Sequence, residues 1–194
     1  MFRLLCLLLL MVPFTSFGQE ALPFDEIPPA PEEYTACNVM ARTIEGLGFR
    51  YRWATEDLTE SDLKYQFSES SRTLEETIDH IYGLAETIVN AVEFKPSVRP
   101  LDIGGMTYEE KRSKTLMFLK TSAEILRKSK DSDLNKMNIV FKRGETESSF
   151  PFWNHLNGPI ADALWHTGQV VASRRASGNP FSSKVSVFMG RVRQ

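Results

Sequence analysis

Apolar residues recur at intervals of three and four in several long stretches of this chain, the period of a helix with one buried side. The first stretch runs from Pro31 or Glu33 to about Thr55 and carries Cys37, Met40, Ile44, Leu47, Tyr51 and Ala54. Pro31 followed by Glu32 and Glu33 suits a helix start, because anionic groups favour the positive end of the helix dipole. Gly46 and Gly48 weaken its middle and leave room for a close helix contact there. Thr59 to Ser71 is polar and reads as a connection. The second helix begins at Thr73, which forms a capping box with Glu76 three residues on. Its stripe is Leu74, Ile78, Ile81, Ala85, Ile88 and Val92, and Pro96 stops it. A long loop follows from Lys95 to Met106. The third helix starts at Thr107 with a second capping box to Glu110, buries Leu116, Leu119, Ala123 and Leu126, and ends near Lys130. The fourth runs from about Ser149 to Ala176, where Gly178, Asn179 and Pro180 form the stop signal. Pro159 inside it should kink it or open it near His155.

Two shorter pieces alternate with period two: Met137–Phe141 and Val185–Phe188. They predict a small two-stranded ribbon beside the helices. Four helices of similar length and so little strand give the expected fold class: all-α, a four-helix bundle.

The N-terminus changes the picture of where the domain begins. Arg3 precedes the apolar run LLCLLLLMV, and Ser16 and Gly18 suit the −3 and −1 positions of a cut before Gln19. Residues 1–18 therefore read as a secretory signal peptide, too short in its apolar core to span a membrane comfortably. Cys6 lies within the apolar run, which does not suit a lipoprotein anchor. A secreted or periplasmic protein with no stable membrane anchor after signal removal is the expectation. Residues 19–32 hold four prolines within ten positions and read as an exposed leader that packs little. Residues 33–194 form the domain. The 194 residues suffice for one real core, and a net charge of −2 points to no polyanionic partner. No basic patch with interleaved aromatics appears, which argues against nucleic-acid binding. Two cysteines imply no disulfide framework, and Cys37 reads as a small buried hydrophobe.

Candidate chemistry sits on the fourth helix. From Pro151 to Ser173 there is one full charge, Asp162. On a helical wheel Phe152, Leu156, Ile160, Ala163, Leu164, Val170 and Val171 share one side. His155, Asp162, His166, Gln169 and Ser173 share another. The helix reads as buried nearly all round, with an internal polar stripe. A buried carboxylate is costly unless it is paired or bound to a metal. Asp162 and His166, four apart, stack on one face and can give two ligands to one cation. His80, on the flank of the second helix, is the best candidate for a third. His155 lies about 16 Å along the axis from His166 and cannot share that ion on an intact helix; it or Ser173 is left to line the pocket. Two histidines and a carboxylate suit Zn, Ni, Fe or Mn and leave positions open for water or substrate. The competing reading is an Asp162–His166 hydrogen bond within the bundle, with His80 in solvent.

The fourth-helix sequence NHLNGPIADALWHTGQVVASRRASGNP, together with TLEETIDHIYGL on the second helix, resembles the DinB-like superfamily. The resemblance covers about Tyr34 to Pro180. It implies four-helix bundles, many with a divalent metal on three histidines: one from the second helix, two from an H-x3-H-x-G-Q element late in the fold. His166, Gly168 and Gln169 match the end of that element and His80 matches the first histidine. Asp162 stands where the middle histidine would be. Members include thiol-dependent transferases and isomerases that use bacillithiol or mycothiol, cosubstrates that sit badly with export, and the class often pairs as homodimers. Two function classes follow. One is a metal-dependent enzyme, a hydrolase or thiol-dependent transferase acting on a small molecule, with Gln169 behind the ligands or facing the substrate. The other is a non-catalytic secreted helical binding protein with an internal Asp–His network and no metal.

Overall fold

The structure is a computed structural model that describes residues 21–194; the signal peptide expected at residues 1–18 lies outside the described residues. The four helical stretches are present as α1 (Ala36–Ala54), α3 (Leu74–Val92), α4 (Tyr108–Lys128) and α5 (Ala161–Ala176), with a single-turn α2 (Glu60–Leu63) between the first two. Every residue of the three stripes read from α1, α3 and α4 is buried, none more than 6% exposed. Helix α4 packs on α1 and α3, and α5 packs on α3 and α1, so the four stripes close around one core.

The helix starts show why these segments fold where they do. Thr73 and Glu76 exchange side-chain and backbone bonds of 3.1 and 2.8 Å, and Thr107 and Glu110 do the same at 3.2 and 2.8 Å. Both expected capping boxes therefore form. Helix α1 begins at Ala36, later than Pro31 or Glu33. Its N-cap is Thr35, and Asp131, 95 residues on, accepts the Ala36 and Cys37 N–H groups at 3.0 and 2.9 Å. Its other end is closed by Arg174 of α5, which is buried and donates to the carbonyl oxygens of Ala54 (3.0 Å) and Trp53 (3.3 Å). That bond satisfies orphan carbonyls and fixes α5 against α1. A third capping box, Thr59–Asp62, lies in the stretch read as a connection. The buried Asp62 also accepts from Asn179 at 2.7 Å and from Ser177, tying α2 to the end of α5. Burial would raise its carboxyl pKa, but these donors outweigh it and hold the group well below the usual carboxylate range.

The all-α expectation is wrong: the chain is mixed α/β. A three-stranded sheet has β1 (Ser97–Val98) parallel to β2 (Ile139–Arg143) and β2 antiparallel to β3 (Thr146–Phe150). A separate hairpin pairs β4 (Val185–Ser186) with β5 (Arg191–Val192). The expected ribbon does not form, because each piece pairs with a nearer neighbour. Gly144, at φ 57°, turns β2 directly into β3, and closing so short a loop costs less chain entropy than bridging to residue 185. Strand β3 is exposed along its length and mostly polar, so it carries no alternation to read.

Strand β3 also takes Ser149 and Phe150, so the fourth helix starts later than expected. After Pro151 the chain makes a turn and a wide π-type turn at Leu156–Ile160, and only then α5. Gly158, at φ −103° and ψ −115°, is not helical, as Pro159 behind it dictates. The expected break is there, and it dissolves the single wheel drawn from Pro151 to Ser173. Helix α5 is not buried all round either. Ala163, Thr167 and Val170 face the core, whereas Ala161, Trp165, Gly168, Gln169 and Ala172 are exposed. The leader, expected to pack little, is held. Phe24 is 8% exposed and lies where any Cβ on Gly48 would fall, 2.5 Å from its ring. The close approach expected at Gly48 is therefore to the leader, not to a helix.

Candidate metal centre

His80 lies on the edge of α3, between the buried Ile78 and Ile81, and its side chain is one-third exposed. Helix α5 crosses that edge. Its first turn brings Asp162, and one turn later His166, to face His80. A carboxylate in a first helical turn is favoured by the dipole. His80 Nε2 lies 3.1 Å from Asp162 Oδ2, and His166 Nε2 lies 3.2 Å from Asp162 Oδ1. The two imidazoles meet edge to face with centroids 4.6 Å apart. One ligand atom from each of the three side chains lies within 4.8 Å of the others. It is the one such group of His, Cys, Asp and Glu among the described residues. The three residues singled out from the sequence do converge, and they could hold a metal ion.

Gln169 explains the orientation of His166. The His166 Nδ1–H donates to Gln169 Oε1 at 2.7 Å. A neutral His166 so held presents a bare lone pair at Nε2, the state a metal needs. His166 Nε2 faces a carboxylate oxygen 3.2 Å away, a close approach rather than an aligned hydrogen bond. Two electron-rich atoms so placed repel unless a proton or a metal cation lies between them. His80 is also prepared: burial pushes its pKa down from the ordinary value, with the positive charge of Arg72 and the neighbouring His166 acting the same way, against the opposing pull of Asp162. Nothing in the sequence pattern points to Arg72, which immediately precedes the α3 N-cap.

The site is open. The side chains of Asp162, His80 and His166 keep 37, 33 and 13% of their surface in solvent, so water or a small molecule reaches the metal position. A cleft of about 560 Å³ lies elsewhere, between Tyr34, Val39, Phe152 and Trp153. His155 and Ser173 take no part in the centre. The break at Gly158–Pro159 turns His155 inward, where it is 1% exposed, packs on Phe152 with centroids 5.0 Å apart, and has no hydrogen-bond partner at either ring nitrogen. Desolvation alone pushes its pKa down to about 4. Cys37 is buried as expected, and burial first, then Asp131, pushes its thiol up to about 11.

Compared with known proteins, the chain matches no family model, no curated protein and no solved structure. The centre therefore rests on its own geometry.

Proposed function

We propose that this chain is an exported, DinB-like metal protein that binds one divalent cation through His80, Asp162 and His166 and uses it to hydrolyse a small electrophilic substrate. The observation that carries the reading is the convergence of one ligand atom from each of His80, Asp162 and His166 within 4.8 Å, with His166 held by its Nδ1–H bond to Gln169 Oε1 so that Nε2 faces Asp162 Oδ1. Two imidazoles and a carboxylate on two helices form a facial set of the kind that leaves other positions free. The mixed nitrogen and oxygen donors suit zinc first, with Ni, Fe and Mn as the other candidates. A bound ion of this kind would acidify a coordinated water and polarise a carbonyl or phosphoryl oxygen. The residues of the chain do the rest. Asp162 supplies the negative charge, Gln169 fixes the His166 tautomer, and the partial exposure of all three ligands admits the substrate.

A second reading rests on the 3.1 Å bond from His80 Nε2–H to Asp162 Oδ2, which satisfies the carboxylate without a metal in a non-catalytic binding protein. Metal analysis of protein purified without a metal-affinity column separates the two. A metal-loaded protein is then screened on esters, phosphoesters and electrophile–thiol pairs. Hydrolysis that is lost in Asp162→Ala supports the proposal. Stoichiometric metal with no turnover leaves a metal-binding protein only.

A further inference from the structure

The C-terminal hairpin presents three consecutive apolar side chains to solvent. Val187 is 43%, Phe188 98% and Met189 51% exposed. A chain normally avoids this by folding such residues inward, but here the backbone is pinned. Gly190 N–H donates to Ser186 O at 2.8 Å, and Arg193 N–H donates to Lys184 O at 2.9 Å. Gly190 O accepts the Ile27 N–H at 2.8 Å, and Ile27 lies so close that a Cβ on Gly190 would fall 2.7 Å from it. At φ 65° Gly190 also requires a glycine backbone. The tip projects from a turn held by its own backbone bonds and by the leader beneath it.

The charge along its own segment is one-sided, although the leader brings the exposed Glu26 beside it, next to Ile27. From Ala163 to Gln194 the chain has five Lys and Arg and no Asp or Glu, within a protein of net charge −2. Lys184, Arg191 and Arg193 flank the tip and are exposed. Arg175, also exposed, stacks over Phe181 at 5.7 Å, and Phe181 shares a cleft with Val185, Val187, Gly168 and Val171. Among the described residues no ion pair uses Arg175, Lys184, Arg191 or Arg193. No helix among the described residues is long and apolar enough to cross a membrane.

We propose that the Val187–Met189 tip and its basic collar dock the protein on an anionic phospholipid bilayer. A projecting aromatic and methionine with cations at the base matches the two components of peripheral membrane attachment: apolar insertion at the interface and attraction to acidic headgroups. A second copy of the chain fits less well. A two-fold pairing through this surface would set each collar of four cations against its own equivalent, like charge on like, with Glu26 of the leader as the adjoining acid to offset it. The docking is independent of the metal centre.

The test is co-sedimentation of the mature protein with phosphatidylcholine vesicles and with mixed phosphatidylcholine–phosphatidylglycerol vesicles, at low and high salt. Melting temperature and light scattering are recorded for each variant. Binding to the anionic vesicles, weakened by salt, is expected. The double variant Phe188→Ser, Met189→Ser should weaken it about tenfold or more, and Arg191→Glu with Arg193→Glu at least about fivefold for each charge removed, both at unchanged melting temperature. Absence of binding to anionic vesicles overturns the proposal. So does binding that neither double variant weakens. A dimer that Phe188→Ser, Met189→Ser dissolves, in a protein that ignores vesicles, assigns the tip to a second copy instead.

Discussion

His155 should make the protein acid-labile in a window that its geometry defines. Its ring is 1% exposed, both nitrogens lack partners, and its pKa falls from 6.5 to about 4 in the folded chain. The unfolded chain takes up a proton as pH falls through 6.5, while the folded chain resists until about pH 4. Between those values the unfolded state binds more protons, so stability is complete above pH 6.5 and drains as pH falls toward 4. For one group with these two values the loss is about 2 kcal/mol by about pH 5 and about 3 kcal/mol by about pH 4. His155→Phe removes the titration and the two orphaned nitrogens while keeping a ring against Phe152. It should stabilise the protein by about 1 kcal/mol at neutral pH. Its advantage over the wild type should then widen by about 2 kcal/mol at about pH 5. Urea unfolding followed by circular dichroism, with chelator present at each pH, gives both curves. Comparing the two proteins cancels the carboxylates that titrate in both. Parallel stability–pH curves for wild type and variant would refute the reasoning.

Gln169→Ala should weaken metal binding roughly ten- to a hundredfold by freeing the His166 tautomer, while metal-free stability stays within about 0.5 kcal/mol because Gln169 is exposed; competition with a chromogenic chelator measures the first and urea unfolding the second. Glu45, with 3% of its side chain exposed, receives Arg127 at 2.8 Å, so Glu45→Ala strands a partly buried cation and should cost about 3 kcal/mol in urea unfolding. Gly48→Ala puts a methyl into the Phe24 ring and should release the leader, seen as new protease cuts near residues 21–30 with the helices still intact by circular dichroism.

The helical core was legible because α1, α3 and α4 each bury one stripe and expose the rest, so the period survives folding unaltered. Their starts were legible where the cap is local, as at Thr73 and Thr107. Helix α1 was misplaced because its first N–H groups are capped by Asp131 from the far side of the chain, a contact no local pattern carries. The strands failed for two reasons. Thr146–Phe150 is exposed along its whole length and so has no buried side to alternate with, and Met137–Phe141 and Val185–Phe188 each had a nearer partner across a tight turn. The absence of charge on the fourth helix was taken as burial. Much of that face is Trp165, Gly168 and Ala172 in solvent. The ligand set was legible despite this, since Asp162 and His166 lie one turn apart downstream of the break, where the wheel holds. His155, upstream of Gly158, was beyond its reach.

The central claim is that His80, Asp162 and His166 hold a cation, and metal content by plasma mass spectrometry tests it most directly. The protein is expressed without an affinity tag for metal and dialysed against metal-free buffer. The account predicts about one divalent ion per chain in the wild type. The single variants His80→Ala, Asp162→Ala and His166→Ala should each lose it, and at a hundredfold excess of metal over Kd only the wild type should gain about 2.7 kcal/mol of stability. A wild type that holds no more metal than Asp162→Ala, and gains no more stability from added zinc, would contradict it.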